Sequence, residues 1–230
     1  MIDRLLSFVA PHHCYGCGLT TSILCQNCEY DISQDDFGRC VWCLRVTADS
    51  HQCTECGKRF GTTAAWAIGE RTGVLKRLVG DYKYFSAREA ANSMARLLDA
   101  KMAMLPSGTV TTTVPTISAH VRQRGFDHAA LLAKAFAKER WLAYSPLLKR
   151  RLHISQHDLN KTERLRLARE TFYVYATEVP KDILLIDDIM TTGATLQACV
   201  AALRDAGAER VFVAAVARQM MEEHFEGSKP

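Results

Sequence analysis

The sequence predicts an α/β fold, a mostly parallel sheet flanked by helices, preceded by a small cysteine-rich module. Three observations carry this expectation. Ile183 to Ile186 are four consecutive apolar residues with β-branched ends, which suits a strand buried on both faces, as in a parallel sheet. Other short β-type stretches alternate with segments of helical periodicity, and that alternation implies βαβ units. Eight of the nine cysteines form four C-x-x-C pairs within the first sixty residues.

The chain of 230 residues, 48% of them hydrophobic, can bury one sizeable core and carry a small appendage. Its formal charge of +4 is too mild to predict a polyanion binder by itself. No apolar run approaches the roughly 20 residues that span a bilayer, so no membrane insertion is expected. The opening decapeptide MIDRLLSFVA is too short, and too acidic at Asp3, for a signal peptide. A cytoplasmic location is therefore expected. The sequence contains no GxGxxG and no GxxxxGK[ST], so dinucleotide binding and Walker-type hydrolysis find no support.

Residues 1–60 form the expected cysteine module. Its pairs are Cys14/Cys17, Cys25/Cys28, Cys40/Cys43 and Cys53/Cys56. Each pair lets two thiolates grip one tetrahedral Zn²⁺ from a tight turn, and two pairs close a structural Cys₄ site. Four pairs predict two structural zincs. Sequential pairing closes short loops at low entropic cost, while an interleaved cross-brace stays open at this stage. A disulfide framework is disfavoured by a reducing cytosol and by the strict pairing. His12, His13 and His51 are expected at the surface, and Cys199, inside an apolar helical run, as a buried structural thiol.

Residues 61–230 form the second expected domain. Ala64 to Glu70 (AAWAIGE) suggests a short strand. Val74, Leu75, Leu78 and Val79, then Ala90, Met94, Leu97 and Leu98, recur at helical spacing, with Lys76, Arg77 and Lys83 on the polar side. Thr109 to Val114 is largely β-branched and ends at Pro115, as strands do. A loop follows, and Asp127 suits the N-cap of a helix starting at Ala129. The basic stretch from Leu147 lacks an apolar period until Phe172, which predicts a flexible hood. Phe172 to Val174 is a further strand, Pro180 a turn, and the central strand comes next. Asp187 and Asp188 are placed where that strand leaves the sheet. Thr191, Thr192, Gly193, Ala194 and Thr195 then form a turn opening a helix that runs through Leu203. Gly207 caps it, Val211 to Val216 is a buried strand, and the tail from Met220 is polar.

The turn after the acids suits a phosphate. Amides at a helix start are unpaired and carry the positive end of the dipole, hydroxyls add donors, and Gly193 permits close approach. The string from Ile183 to Thr195 resembles the signature of type I phosphoribosyltransferases. Arg124-Gly125-Phe126 ahead of an alanine/leucine helix, together with Arg151, Gln156, Leu159, Arg164 and Phe172, resembles the ComF/GntX family. That family joins an N-terminal zinc module to a type I phosphoribosyltransferase-like domain, so both halves of the chain match.

The resemblance implies that Asp187 and Asp188 hold the ribose hydroxyls of phosphoribosyl pyrophosphate (PRPP), directly or through Mg²⁺. It implies that Thr191 to Thr195 wrap the 5′-phosphate, that the loop from Pro115 meets the pyrophosphate, and that Arg124 belongs to the catalytic set. Arg151, Gln156 and Arg164 fall in the hood, where a mobile basic lid would neutralise departing pyrophosphate and exclude water. Asp127 and His128 stand where the family usually shows Asn and Gln, and Leu167 where it shows Asn. The implied function is Mg²⁺-dependent PRPP binding with transfer to a nitrogen acceptor, in a ComF-type role linked to DNA uptake or utilisation. The alternative is a single-stranded DNA-binding competence protein that follows a phosphate backbone with Arg122, Arg124, Lys149, Arg150 and Arg151. A further possibility is that the zinc module docks a protein of the competence machinery. The acid pair discriminates, because two carboxylates serve PRPP and hinder a polyanion.

Overall fold

A computed structural model describes residues 12–20, 22–35, 37–47, 52–82, 87–151 and 171–220. The cysteine module contributes two short helices, α1 (Gln26–Gln34) and α2 (Thr54–Phe60). Then follow β1 (Ala64–Glu70), α3 (Gly73–Tyr82), α4 (Ala87–Lys101), β2 (Val110–Thr113), α5 (Ser118–Arg124) and α6 (His128–Glu139). The chain continues through β3 (Ala143–Tyr144), β4 (Leu148–Arg150), β5 (Phe172–Val174), β6 (Asp182–Met190), α7 (Ala194–Asp205) and β7 (Arg210–Arg218).

Five strands form a parallel sheet in the order β1-β7-β6-β2-β3, and β4 and β5 make a separate antiparallel ribbon. The expected α/β architecture is thus present. Side chains alternate across the sheet, as a period of two requires. Leu184, Ile186, Phe212 and Ala214 face α3, α4 and α6, whereas Ile183, Leu185, Val211 and Val213 face α7. Both faces are covered, which accounts for the unbroken apolar runs in β6 and β7.

The cysteine module packs into this core on both sides. Cys14, Ile23 and Leu24 join the first face, and Cys40, Val41, Trp42 and Cys56 join the second. Polar contacts fasten the first half. The Tyr15 hydroxyl donates to Asp81 Oδ2 at 2.7 Å, the Ile23 amide to Glu89 Oε1 at 2.9 Å, and Arg96 pairs with Glu29. Arg77, expected on a solvated face, donates instead to the Tyr15 carbonyl.

Several boundaries differ from expectation for local reasons. The central strand does not stop at Ile186 but runs to Met190, because β7 continues to pair with it through Arg218. Residues 118–124 are helical rather than loop, closed by Gly125 at φ 78°. Helix α6 starts at His128, one residue early, with Asp127 accepting from the Ala130 amide at 3.2 Å as an N-cap does. Leu148–Arg150 is a strand rather than part of a hood, since β5 lies alongside to accept it. Gly207, at φ 108°, is the residue after the C-cap Ala206, and the Ala208 and Gly207 amides return to Leu203 and Arg204 as in a Schellman motif. Among the described residues, no helix is long and apolar enough to cross a membrane.

Candidate functional site

The connection from β2 leads outward to β3, and the one from β6 leads the other way to β7. The strand order therefore reverses between β2 and β6, and open α/β sheets bind ligands outside the carboxyl ends of strands at such a switch point. Pairing of β2 with β6 ends at Thr113↔Ile186, with one more bond from the Val114 amide to the Ile186 carbonyl. Beyond it, residues 187–190 keep β7 on one side only. Asp187 and Asp188 occupy this stretch.

Consecutive strand residues face opposite sides, and the two acids do. Asp188 is buried, 6% exposed, and turns toward α6, where its Oδ2 lies 3.7 Å from His128 Nε2. Asp187 is half-buried on the α7 side, and its Oδ1 accepts from the Asp188 amide at 2.9 Å. Its charge, after burial, helps push the Cys199 thiol well above its ordinary range. Cys199 is fully buried, the inert structural thiol expected.

The turn follows directly. Gly193 adopts φ 77° and is the N-cap of α7 without any side-chain cap, so the helix start presents its amides outward. Thr191, Thr192, Ala194 and Thr195 are all exposed around it, with Thr192 Oγ1 3.3 Å from the Ala194 amide. An exposed helix N-terminus ringed by hydroxyls is competent to hold a phosphate.

On the other wall, Arg124 and His128 meet. A guanidinium only donates, so the 2.9 Å contact from Arg124 Nη1 makes His128 Nδ1 the acceptor and leaves its proton on Nε2, the atom facing Asp188. The Tyr82 hydroxyl donates to the His128 carbonyl, and burial, followed by the Asp188 charge, holds that phenol far above its usual range. Thr116 donates to Asp127 Oδ1 at 2.8 Å, tying the segment after Pro115 to the start of α6. The structure thus joins Arg124 to Asp188 through His128, which the sequence marks only as standing where the family usually shows Gln. Arg151 is exposed just past β4. Gln156 and Arg164 lie outside the described residues.

The cysteines form two groups, Cys14/Cys17/Cys25/Cys28 and Cys40/Cys43/Cys53/Cys56, with ligand atoms within 4.8 Å of one another in each. Pairing is sequential, not interleaved. Four sulfurs at 2.3 Å from a tetrahedral zinc sit about 3.8 Å apart, and the Cys17–Cys25 and Cys43–Cys53 sulfur separations are 3.7 and 3.8 Å. The donor sets fit zinc. Burial raises the Cys14 thiol, but backbone amides of Cys17, Cys25 and Gly16 outweigh it and bring it down to about 6. The Cys56 backbone amide likewise lowers Cys53 to about 7. Burial and the neighbouring thiols push Cys28 up to about 12. A separate cleft of about 490 Å³ opens at the carboxyl end of β1, between Asp35 and Phe37 of the cysteine module and Gly69, Glu70 and Thr72.

Comparison with known proteins gives the same outline. Residues 177–226 match the model of the phosphoribosyl transferase domain family. Over 229 residues the chain is 29% identical to competence protein F of Haemophilus influenzae, covering 90% of this chain and 95% of that one. It is 28% identical over 193 residues to competence protein ComFC of Streptococcus pneumoniae, covering 83% and 85%. It is also 25% identical over 228 residues to the DNA utilization protein YhgH of Salmonella typhi, covering 88% and 100%. Among solved structures, glutamine PRPP amidotransferase from B. subtilis, complexed with ADP and GMP, superposes on 60% of this chain and 30% of its own. Its TM-score is 0.44 and its identity 20%. The sequence matches span most of the chain, and the two four-cysteine clusters stand ahead of the segment that matches the phosphoribosyl transferase domain model, so the chain is similar to competence and DNA utilization proteins of the ComF type, in line with the resemblance to the ComF/GntX family.

Proposed function

We propose that the protein binds PRPP with Mg²⁺ at the carboxyl end of β6 and transfers its phosphoribosyl group to a nitrogen acceptor. The observation that carries this reading is the acid pair followed by an uncapped, glycine-opened helix start at the switch point of the sheet. The exposed amides and hydroxyls of Thr191 to Thr195 suit a 5′-phosphate, and the carboxylates of Asp187 and Asp188 suit ribose hydroxyls.

Mg²⁺ is commonly held by one or two carboxylates together with substrate phosphates, a role that Asp187 and Asp188 fit. When bound, it neutralises charge on the pyrophosphate. In the transfer, the acceptor lone pair forms the new bond to the ribose anomeric carbon while the bond to pyrophosphate breaks. Pyrophosphate leaves with the electron pair, and the proton of the acceptor nitrogen passes to it or to solvent. The chain's part is placement and charge. Asp188 lies buried beside His128, and Arg124, held next to it through the same His128, would supply a cation for the negative charge that develops on the leaving pyrophosphate. Zinc in the two cysteine clusters would be structural.

The names of the relatives support a role in competence or DNA utilisation. A second reading, contact with single-stranded DNA, is favoured by the β4–β5 ribbon. There Lys149 lies over Tyr175 at 4.1 Å and Arg151 over Tyr173 at 5.4 Å. Two exposed cations over partly exposed tyrosines suit a phosphate backbone with splayed bases.

Pyrophosphate release from PRPP, measured across a panel of nucleobases and amines, tests the first reading. Release with at least one acceptor, dependent on Mg²⁺, is expected. PRPP binding without release from any acceptor would leave a binding protein on a transferase fold, and salt-dependent single-strand binding lost on Lys149→Ala with Arg151→Ala would then carry the second.

A further inference from the structure

The candidate phosphate turn is not held by the sheet alone. Arg218, the last residue of β7, is only 3% exposed, and its guanidinium is spent on main-chain carbonyls. Nε donates to Val41 at 2.8 Å, while Nη1 donates to Met190 at 3.0 Å, to Gln219 at 2.7 Å and to Thr191. Val41 sits inside the Cys40/Cys43 knuckle. Met190 and Thr191 are the end of β6 and the first residue of the turn. One buried cation therefore ties the second cysteine cluster to the phosphate turn.

A second contact lies alongside. A Cβ placed on Gly193 would stand 3.1 Å from the ring of Trp42, the residue after Val41. Trp42 is itself pinned. Its Nε1 donates to Gln52 Oε1 at 3.1 Å, its ring meets Phe60 at 4.8 Å, and Gln52 in turn donates to the Thr62 carbonyl at 3.0 Å. Burial lowers the Arg218 pKa, with the charge at Cys40 acting the other way. A dication on four thiolates has a net charge of about −2, which supplies that counter-charge. Among the described residues, the polar contacts of the first cysteine cluster's surroundings run instead to α3 and α4, through Tyr15, Ile23 and Glu29.

We propose that the second four-cysteine knuckle is the outer wall of the phosphate turn, with Arg218 and Trp42 as positioning residues, so that metal at Cys40–Cys56 sets the turn for a sugar 5′-phosphate. The ligand part of this rests on the phosphate reading of the turn; the support itself does not. Loss of that metal loosens residues 190–195 and weakens phosphate binding, whereas loss of metal at Cys14–Cys28 does neither.

The test uses the full chain as wild type, Cys43→Ser, Cys17→Ser and Arg218→Lys. Cys43 and Cys17 are the exposed ligands of their clusters. Ribose 5-phosphate affinity is measured by calorimetry, and amide hydrogen exchange is followed at residues 190–197. Metal content is measured for each variant. Cys43→Ser and Arg218→Lys are each expected to weaken ribose 5-phosphate about tenfold, an ordinary coupling between linked sites, and to speed exchange at the turn. Cys17→Ser should change neither. Unchanged exchange and affinity in Arg218→Lys and in metal-depleted Cys43→Ser would overturn the proposal. So would equal effects of Cys17→Ser and Cys43→Ser, which would mean that metal only stabilises the whole fold. Arg218→Lys keeps all eight cysteines of the two clusters and decides the matter should Cys43→Ser fail to fold. Should the wild type bind no ribose 5-phosphate, the phosphate reading falls while the exchange measurement still judges the support.

Discussion

Gly193 meets two separate demands. Its φ of 77° lies in the left-handed region, and the face that a side chain would occupy is closed by Trp42 at 3.1 Å. Gly193→Ala should therefore destabilise the protein by about 1–3 kcal/mol, the cost of a strained backbone position, as read by urea denaturation. Ribose 5-phosphate affinity should fall with it. His128 offers a contrasting case. As the acceptor of the Arg124 contact it is replaceable by an amide but not by a hydrocarbon. His128→Gln should hold PRPP within a few-fold of wild type, while His128→Leu, which leaves a charged donor without its acceptor, should lose about tenfold or more. Equal losses in the two variants would assign His128 a role beyond accepting that bond. His128 was marked in the sequence as a departure from the family's usual Gln, but its contacts were not legible, and Arg218 was not singled out at all. Arg124 and His128 are four apart but lie on different helices, Asp188 is distant in the chain, and Arg218 finds its carbonyls on three separate segments. By contrast, Asp187, Asp188 and the turn through Thr195 were legible because one local stretch of chain carries them all.

At the scale of elements, the central strand shows where local pattern stops short. Aspartate is depleted in strands, so the acids suggested a strand end, yet β6 continues through them. Pairing is lost on the β2 side after Ile186 and kept on the β7 side to Met190. That half-open stretch leaves room for polar side chains inside a strand. Strand β4 was hidden for another reason. It has only three residues, and its partner β5 is supplied from beyond the intervening segment 152–170. The cysteine pairs were legible as candidate metal-ligand sets, whereas the sequence left their grouping open, and the structure groups them sequentially, each set closing a short loop. Metal analysis should return two zincs per chain. Because α1 and α2 bury little apart from cysteine and their contacts with the core, stripping both metals should disorder the cysteine module. Loss of near-ultraviolet signal from Trp42 on chelation, restored by zinc, would register it. A metal content near zero with few free thiols would contradict the zinc assignment.

For the molecule as a whole, alternation of strands and helices foretold a parallel sheet, but not that the cysteine module would share both hydrophobic faces of the core with it. Sequence composition changes sharply near residue 60, and that change suggests a boundary which the packing crosses. The reversal of strand order between β2 and β6 was likewise beyond local pattern, since it depends on which strands become neighbours. It brings Arg124 and His128 to the side of β6 that carries Asp188. The most direct test of this arrangement is calorimetry of PRPP binding with and without Mg²⁺, comparing wild type with Asp187→Asn/Asp188→Asn. Binding that needs Mg²⁺ and is abolished in the double variant is the predicted result. Undiminished binding by that variant, or none by the wild type, would contradict it.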